Sequence, residues 1–236
     1  LRQAGYTDDR IILIVEDDIA DNVSNPNKGV IQVTIGGNNV YENVEIDYRM
    51  SSLKAKDILA ILNGEKSESL PTVIESTEND NLFVFWSGHG VPGAMCWDEE
   101  PYAMTGDDLS TVFKDMNLKR RYRKLLMMVE ACFSGGVMEQ CEGIPGMLFI
   151  TAANGDETSK ADVFNGEMKV WMSNRFTSTF IEQITDNKDV AMRDLYYRLF
   201  INTVGSHVMV YNAENYGNLY SANMSEFINF KNDKSK

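Results

Sequence analysis

Two side chains capable of covalent chemistry stand where apolar runs stop. The run Asn81-Leu82-Phe83-Val84-Phe85-Trp86 gives way to Ser87-Gly88-His89-Gly90, and Lys124-Leu125-Leu126-Met127-Met128-Val129 gives way to Glu130-Ala131-Cys132-Phe133-Ser134-Gly135-Gly136. A cysteine thiolate is a strong nucleophile, and a histidine titrating near neutral pH can take the thiol proton. His89 and Cys132 are far apart in the chain, so only the fold can bring them together. Open α/β sheets gather their chemistry at the carboxyl ends of strands, where both runs deliver these side chains. Gly88 and Gly90 leave room beside the histidine for a substrate backbone. Glu130 falls on the same side of its strand as Cys132, and a carboxylate closing an apolar run is costly without a partner or a role. The plainer alternatives are a structural buried cysteine and a turn histidine bonded to the backbone. The second of the two histidines, His207, begins a short apolar run.

The elements that must position these residues alternate between strand and helix. Residues 11–15 are a β-branched strand that stops at Glu16-Asp17-Asp18. Residues 19–48 carry turn residues without helical period and read as a long loop. A helix through Ile61 is expected after Ser51-Ser52, which would cap it, with its stop at Asn63-Gly64. Residues 93–104 read as a small hairpin or a loop over the site. Thr105-Gly106-Asp107-Asp108 opens a helix to about residue 117. Residues 146–153 are a further buried strand, 155–173 a loop, 174–185 and 189–203 two helices, and 207–211 a last strand. This order predicts one α/β sandwich with a mostly parallel sheet over residues 1–212, followed by a polar tail at 213–236.

Composition narrows the function classes. The chain has 236 residues, 43% of them hydrophobic, and a net charge of −13. Such an acid balance argues against nucleic acid as a ligand, since phosphate contacts need basic patches. No run approaches the length of a membrane span. Three cysteines, Cys96, Cys132 and Cys141, do not make a disulfide framework. A Cys132–Cys141 bond would silence the candidate nucleophile. The cysteines and His89 lack the paired spacing of zinc sites, and no phosphate-binding, dinucleotide or serine-elbow motif stands at a strand-to-helix junction, so neither metal nor cofactor is expected. Leu1 to Ala4 before Gly5 reads as the last turn of a helix whose beginning is not in this sequence.

The combination of an apolar strand with Ser-Gly-His-Gly and an apolar strand with Glu-Ala-Cys-Phe-Ser-Gly-Gly resembles the legumain family of caspase-like cysteine peptidases, to which the catalytic subunit of the glycosylphosphatidylinositol transamidase is related. Further similarity lies in Asp17-Asp18-Ile19-Ala20, Asn25-Pro26, Val40-Tyr41, Asp47-Tyr48, Tyr122-Arg123-Lys124, Thr151-Ala152-Ala153-Asn154 and Ser206-His207-Val208-Met209. The resemblance implies a caspase-like α/β/α sandwich with Cys132 as nucleophile and His89 as general base. It implies an oxyanion hole from the amides of Gly90 and Cys132, and substrate contacts from Glu130, Thr158, Ser159 and Asn174. Asn174 stands where the family carries aspartate, which leaves asparagine and a basic residue both open as the preferred residue before the cut. The resemblance further implies an associated N-terminal segment carrying a first, central strand, and favours a secreted or extracytoplasmic location. An endopeptidase, a transamidase or peptide ligase using the same thioester, and an inactive binding module on this fold are the three functions to separate.

Overall fold

The computed structural model describes residues 1–97, 103–186 and 189–230. In chain order its elements are β1 (Ile14–Val15), β2 (Tyr48–Arg49), α1 (Ala55–Leu62), β3 (Asn81–Ser87), β4 (Gly90–Val91), β5 (Ala94–Cys96), β6 (Ala103–Thr105), α2 (Gly106–Leu118), β7 (Lys124–Glu130), α3 (Ser134–Met138), β8 (Met147–Thr151), β9 (Ala161–Asn165), β10 (Val170–Asn174), α4 (Arg175–Asp186), α5 (Met192–Asn202), β11 (Met209–Tyr211) and α6 (Ala213–Tyr216). Among them no helix is long and apolar enough to cross a membrane.

β7 is the centre of the molecule. It pairs in parallel with β3 on one edge and with β8 on the other, and β11 closes the far side antiparallel to β8. Strand alternation sends Leu125, Met127 and Val129 to one face, where they meet Ile58 and Ile61 of α1 and Leu109, Phe113 and Met116 of α2. Leu126 and Met128 face the other way, onto Phe176 and Phe180 of α4 and Leu195 and Leu199 of α5. Two helical layers therefore cover a mostly parallel sheet that is apolar on both faces, the α/β arrangement expected.

Local chemistry sets the helix starts. Thr105 and Asp108 form a reciprocal cap at α2: the Asp108 amide donates to Thr105 Oγ1 at 3.2 Å, and the Thr105 amide donates to Asp108 Oδ2 at 3.0 Å. The cap expected from Ser51-Ser52 does not form. Those residues lie in a short 3-10 turn, and the Ser52 hydroxyl donates back to the Arg49 carbonyl at 2.6 Å. α1 starts later, where the Lys54 amide donates to Asp57 Oδ2 at 2.8 Å.

Three further segments differ from expectation. Only Ile14–Val15 of the 11–15 run is strand, and it pairs in parallel with β2, which begins at the last residue of the segment read as loop. The stretch read as loop at 155–173 contains the β9–β10 hairpin, its turn closed by the amides of Glu167 and Met168 on Asn165 Oδ1, both at 3.0 Å. The segment read as a polar tail packs against the core as far as it is described: Tyr216, Ala222, Met224, Phe227 and Ile228 are all buried beside α5 and β8. The hairpin expected over the site is a small sheet of β4, β5 and β6, and residues 98–102 of that segment lie outside the described residues.

β3 differs from its neighbour β7. Six of the seven residues of β7 are buried, but no residue of β3 is, although β3 is equally apolar. Its second edge has no partner strand among the described residues, and β1 pairs with β2 instead. Between residues 11–14 and β3 lies a slot of about 1650 Å³. Its lining runs along β3 to His89 but does not include Cys132. Trp86, in its wall, has a buried indole N–H without a partner among the described residues.

Phe113 of α2 is fully buried, and its ring lies 5.7 Å from that of Phe149 on β8. Phe113→Ala should cost about 3–5 kcal/mol of stability, read as a lower urea midpoint at unchanged slope.

Candidate active site

The β3–β7 ladder ends with Ser87 opposite Glu130, and the Gly88 amide continues it by donating to the Glu130 carbonyl at 3.0 Å. His89 and Cys132 each lie two residues past these last partners, so the register delivers both to the same end of adjacent strands. His89 is exposed and Cys132 half-buried. The chain then turns tightly over the cysteine. A Cβ on Gly90 would lie 2.1 Å from the Cys132 carbonyl oxygen, a clash that no side chain avoids. The His89 carbonyl accepts the Cys96 amide at 3.0 Å, and the next pair in that antiparallel ladder is Gly90 with Met95. Bonded and non-bonded pairs alternate, so the Gly90 amide points away from β5.

The turn after Cys132 is backbone packed on backbone. Phe133 takes the left-handed conformation, φ 56°, and its amide donates to the Glu157 carbonyl at 2.8 Å. The Gly135 amide donates to the Ala153 carbonyl at 3.1 Å, and a Cβ on Gly135 would stand 2.9 Å from the Asn154 backbone. The segment after β8 therefore forms the wall beside the cysteine. Ser159, in that wall, places its hydroxyl 4.0 Å from Cys132 Sγ. Thr158 is exposed and accepts from Lys160 Nζ at 2.9 Å. Asn174 is half-buried at the end of β10, paired with Ala161 two residues beyond Ser159.

Glu130 is only 1% exposed. Its Oε2 accepts the Thr177 amide at 3.0 Å and the Thr177 hydroxyl at 3.1 Å, so it caps α4 from the neighbouring strand and takes the place a residue at the helix start would normally fill. Its Oε1 has no hydrogen bond among the described residues. Burial pushes the Glu130 carboxyl up, against the opposing pull of Thr177, the Ser159 hydroxyl and the Phe176 amide.

Sequence reasoning passed over Glu157. Its Oε1 accepts the His207 amide at 2.6 Å and the Asn154 amide at 3.2 Å, and its Oε2 meets His207 Nδ1 at 2.9 Å. Burial raises this carboxyl, but the His207 ring, the His207 amide and the Asn154 amide outweigh it and hold it below the ordinary range. An acid inside the turn Asn154-Gly155-Asp156-Glu157 was the available signal. His207 is thereby placed: it binds Glu157 ahead of β11.

All three cysteines are free. Cys141 is buried against the carbonyls of Gly106 and Val137, at 3.7 and 3.8 Å, and burial pushes its thiol up to about 12. It is unreactive, in contrast to the accessible Cys132. Among the described residues no group of acidic, histidine and cysteine side chains could hold a metal ion.

The Peptidase C13 family matches residues 1–227. The chain belongs to that family. It is 29% identical to legumain of Rattus norvegicus over 218 residues, which covers 89% of this chain and 49% of that protein. It is 36% identical to the vacuolar-processing enzyme of Vicia sativa over 165 residues, 67% of this chain and 33% of that protein. This C13 chain thus spans half or less of the length of these relatives. The solved structure of caspase-1 from Spodoptera frugiperda matches with a TM-score of 0.54 at 12% identity, over 95% of this chain and 91% of that one. The fold of this C13 member is therefore caspase-like.

A carboxyl raised by burial contributes its stability while protonated and loses it as pH rises through its folded pKa. Glu130→Gln keeps an acceptor for the α4 amides and has no charge to bury. Its melting temperature should match the wild type in acid and exceed it by a margin that grows as pH rises past the ordinary carboxylate range. A margin that is constant or shrinks with pH would show that burial does not dominate at Glu130.

Proposed function

We propose that this chain is the catalytic domain of a cysteine endopeptidase that cuts after a polar residue, asparagine first and lysine or arginine second. The observation carrying this reading is the register that ends with Ser87 opposite Glu130, with Gly90 packed on the Cys132 carbonyl. In this reading His89 takes the Cys132 thiol proton as the sulfur attacks the substrate carbonyl. The oxyanion that forms is met by the amides of Gly90 and Cys132. His89 then gives the proton to the departing amine, which leaves a thioester on Cys132. Water attacks the thioester with His89 again as base, releasing the carboxylic acid and restoring the thiol.

Support for the polar preference comes from Glu130. One of its oxygens is committed to α4 and the other is buried without a partner, an acceptor suited to an N–H donor on the substrate side chain. Asn174, uncharged, adds no second acid to that pocket. Thr158 and Ser159 would border the substrate backbone.

We further propose that an extended segment occupies the slot along β3, carried, as the family implies, on the N-terminal side. The unpartnered β3 edge, the half-buried state of its apolar residues and the free Trp86 N–H support this reading. In the whole protein the β3 amides that β7 does not engage should exchange as slowly as those of β7. Fast exchange there would leave the slot empty.

Cys132→Ala should abolish cleavage of a peptide panel that varies only the residue before the cut, at unchanged melting temperature. Residual cleavage by the variant, or efficient wild-type cleavage after leucine or phenylalanine, would defeat the reading of the nucleophile or of the pocket, respectively. Added amine nucleophiles captured in the product in place of water would make the enzyme a transamidase.

A further inference from the structure

One side chain of the Cys132 turn reaches the segment after β8: the Ser134 hydroxyl donates to the Ala153 carbonyl at 3.3 Å. The turn's backbone rests on the same segment, through the Phe133 amide on the Glu157 carbonyl and the Gly135 amide on the Ala153 carbonyl. Gly136 and Gly155 extend this contact: a Cβ on Gly155 would stand 3.2 Å from the Gly136 backbone. The Thr151 hydroxyl holds the inner end of that segment at the Ala153 carbonyl, at 2.9 Å, and one carboxylate holds its outer part. Glu157 gathers the Asn154 amide from its own turn and both the amide and the ring of His207 from the chain entering β11. Ser206, the next residue back, donates to the Ala152 carbonyl at 2.7 Å. The β8 and β11 ends are thereby tied at two levels, and the carboxylate forms the outer tie.

We propose that Glu157 is a positioning residue for the Cys132 nucleophile, and that His207 acts on catalysis only through Glu157. The backbone of Glu157 holds the residue after the cysteine, and its side chain decides where that backbone sits. Two residues further on, Ser159 lies against the sulfur. A shift of this segment therefore moves the left-handed kink at Phe133 and the wall beside the thiol together. The left-handed conformation of a bulky residue persists only where its surroundings enforce it, and the Glu157 carbonyl is the contact that does so at the Phe133 amide. The His207 ring is 67% exposed and turned to Glu157, so it needs no contact with substrate to have an effect.

This inference rests on the peptidase reading and is tested apart from it. The readouts, in the whole protein, are steady-state cleavage of the panel peptide that the wild type cuts best, and the rate of Cys132 alkylation by iodoacetamide, located by peptide mass mapping to separate it from Cys96. Glu157→Ala should lower kcat roughly ten- to a hundredfold with little change in KM, and should change the alkylation rate of Cys132, because small displacements of a reacting group carry costs of that order. Glu157→Gln should restore most of the loss. Its amide oxygen still accepts the two backbone amides, and its NH₂ can donate to the neutral His207 ring. His207→Ala, which leaves the backbone amides in place, should give a smaller loss in the same direction and carries the test if Glu157→Ala does not fold. Wild-type kcat and alkylation in both alanine variants would overturn the inference. A Glu157→Gln variant as impaired as Glu157→Ala would also overturn it, by assigning the effect to charge. If Cys132→Ala still cleaves, the peptidase reading fails; the alkylation comparison still decides the positioning of the thiol.

Discussion

Parallel pairing fixes both where two strands end and which way their last side chains face, and in this chain the pairing of β3 with β7 ends with Ser87 opposite Glu130. Shifting that register by one residue would turn every side chain of β3 to the opposite face. Leu82, Val84 and Trp86 would leave the α1–α2 layer, and Phe83 and Phe85 would leave Phe180 of α4. Two apolar faces thus hold a register whose catalytic consequence lies beyond its last rung. The cost of misplacing His89 relative to Cys132 is borne by the whole core, which makes the ends of the strands rigid without any bond between the two side chains.

The long apolar runs were legible because burial on both faces leaves a continuous signature in the sequence. The runs ending at Glu130 and Thr151 became β7 and β8 with little change, and the Thr105 cap was readable from an oxygen side chain three residues ahead of an acid. Shorter elements were not readable. β2 is two residues long and owes its pairing to β1, a contact across more than thirty residues that leaves no local period. The β9–β10 hairpin alternates weakly, since Phe164 and Trp171 pack on one another in solvent and not on the core. The segment 213–230 mixes polar residues with apolar ones that follow no regular period, yet Tyr216, Met224, Phe227 and Ile228 turn inward while Tyr220 stays exposed, an arrangement that only tertiary contact reveals. In the site, strand ends announced His89, Cys132 and Glu130. Glu157 was hidden in a turn of ordinary turn residues, because what sets it apart is its contacts with two distant residues, His207 and Phe133.

Glu130 shows how a structural and a chemical demand meet in one side chain. A helix start needs an acceptor for its free amides, and the positive end of its dipole favours a negative charge. α4 obtains both from the neighbouring strand, through Oε2 of Glu130 on Thr177. That contact already accounts for a carboxylate at the end of an apolar strand, and one oxygen would suffice for it. The other oxygen has no hydrogen bond among the described residues, and leaving a buried acceptor unpaired costs about 1–3 kcal/mol. The carboxyl stands near Ser159, whose hydroxyl helps hold its pKa down and also lies against the cysteine sulfur. In the endopeptidase reading proposed above, that acceptor is the one a polar side chain of the substrate would meet, so a single carboxylate would both start a helix and receive a ligand.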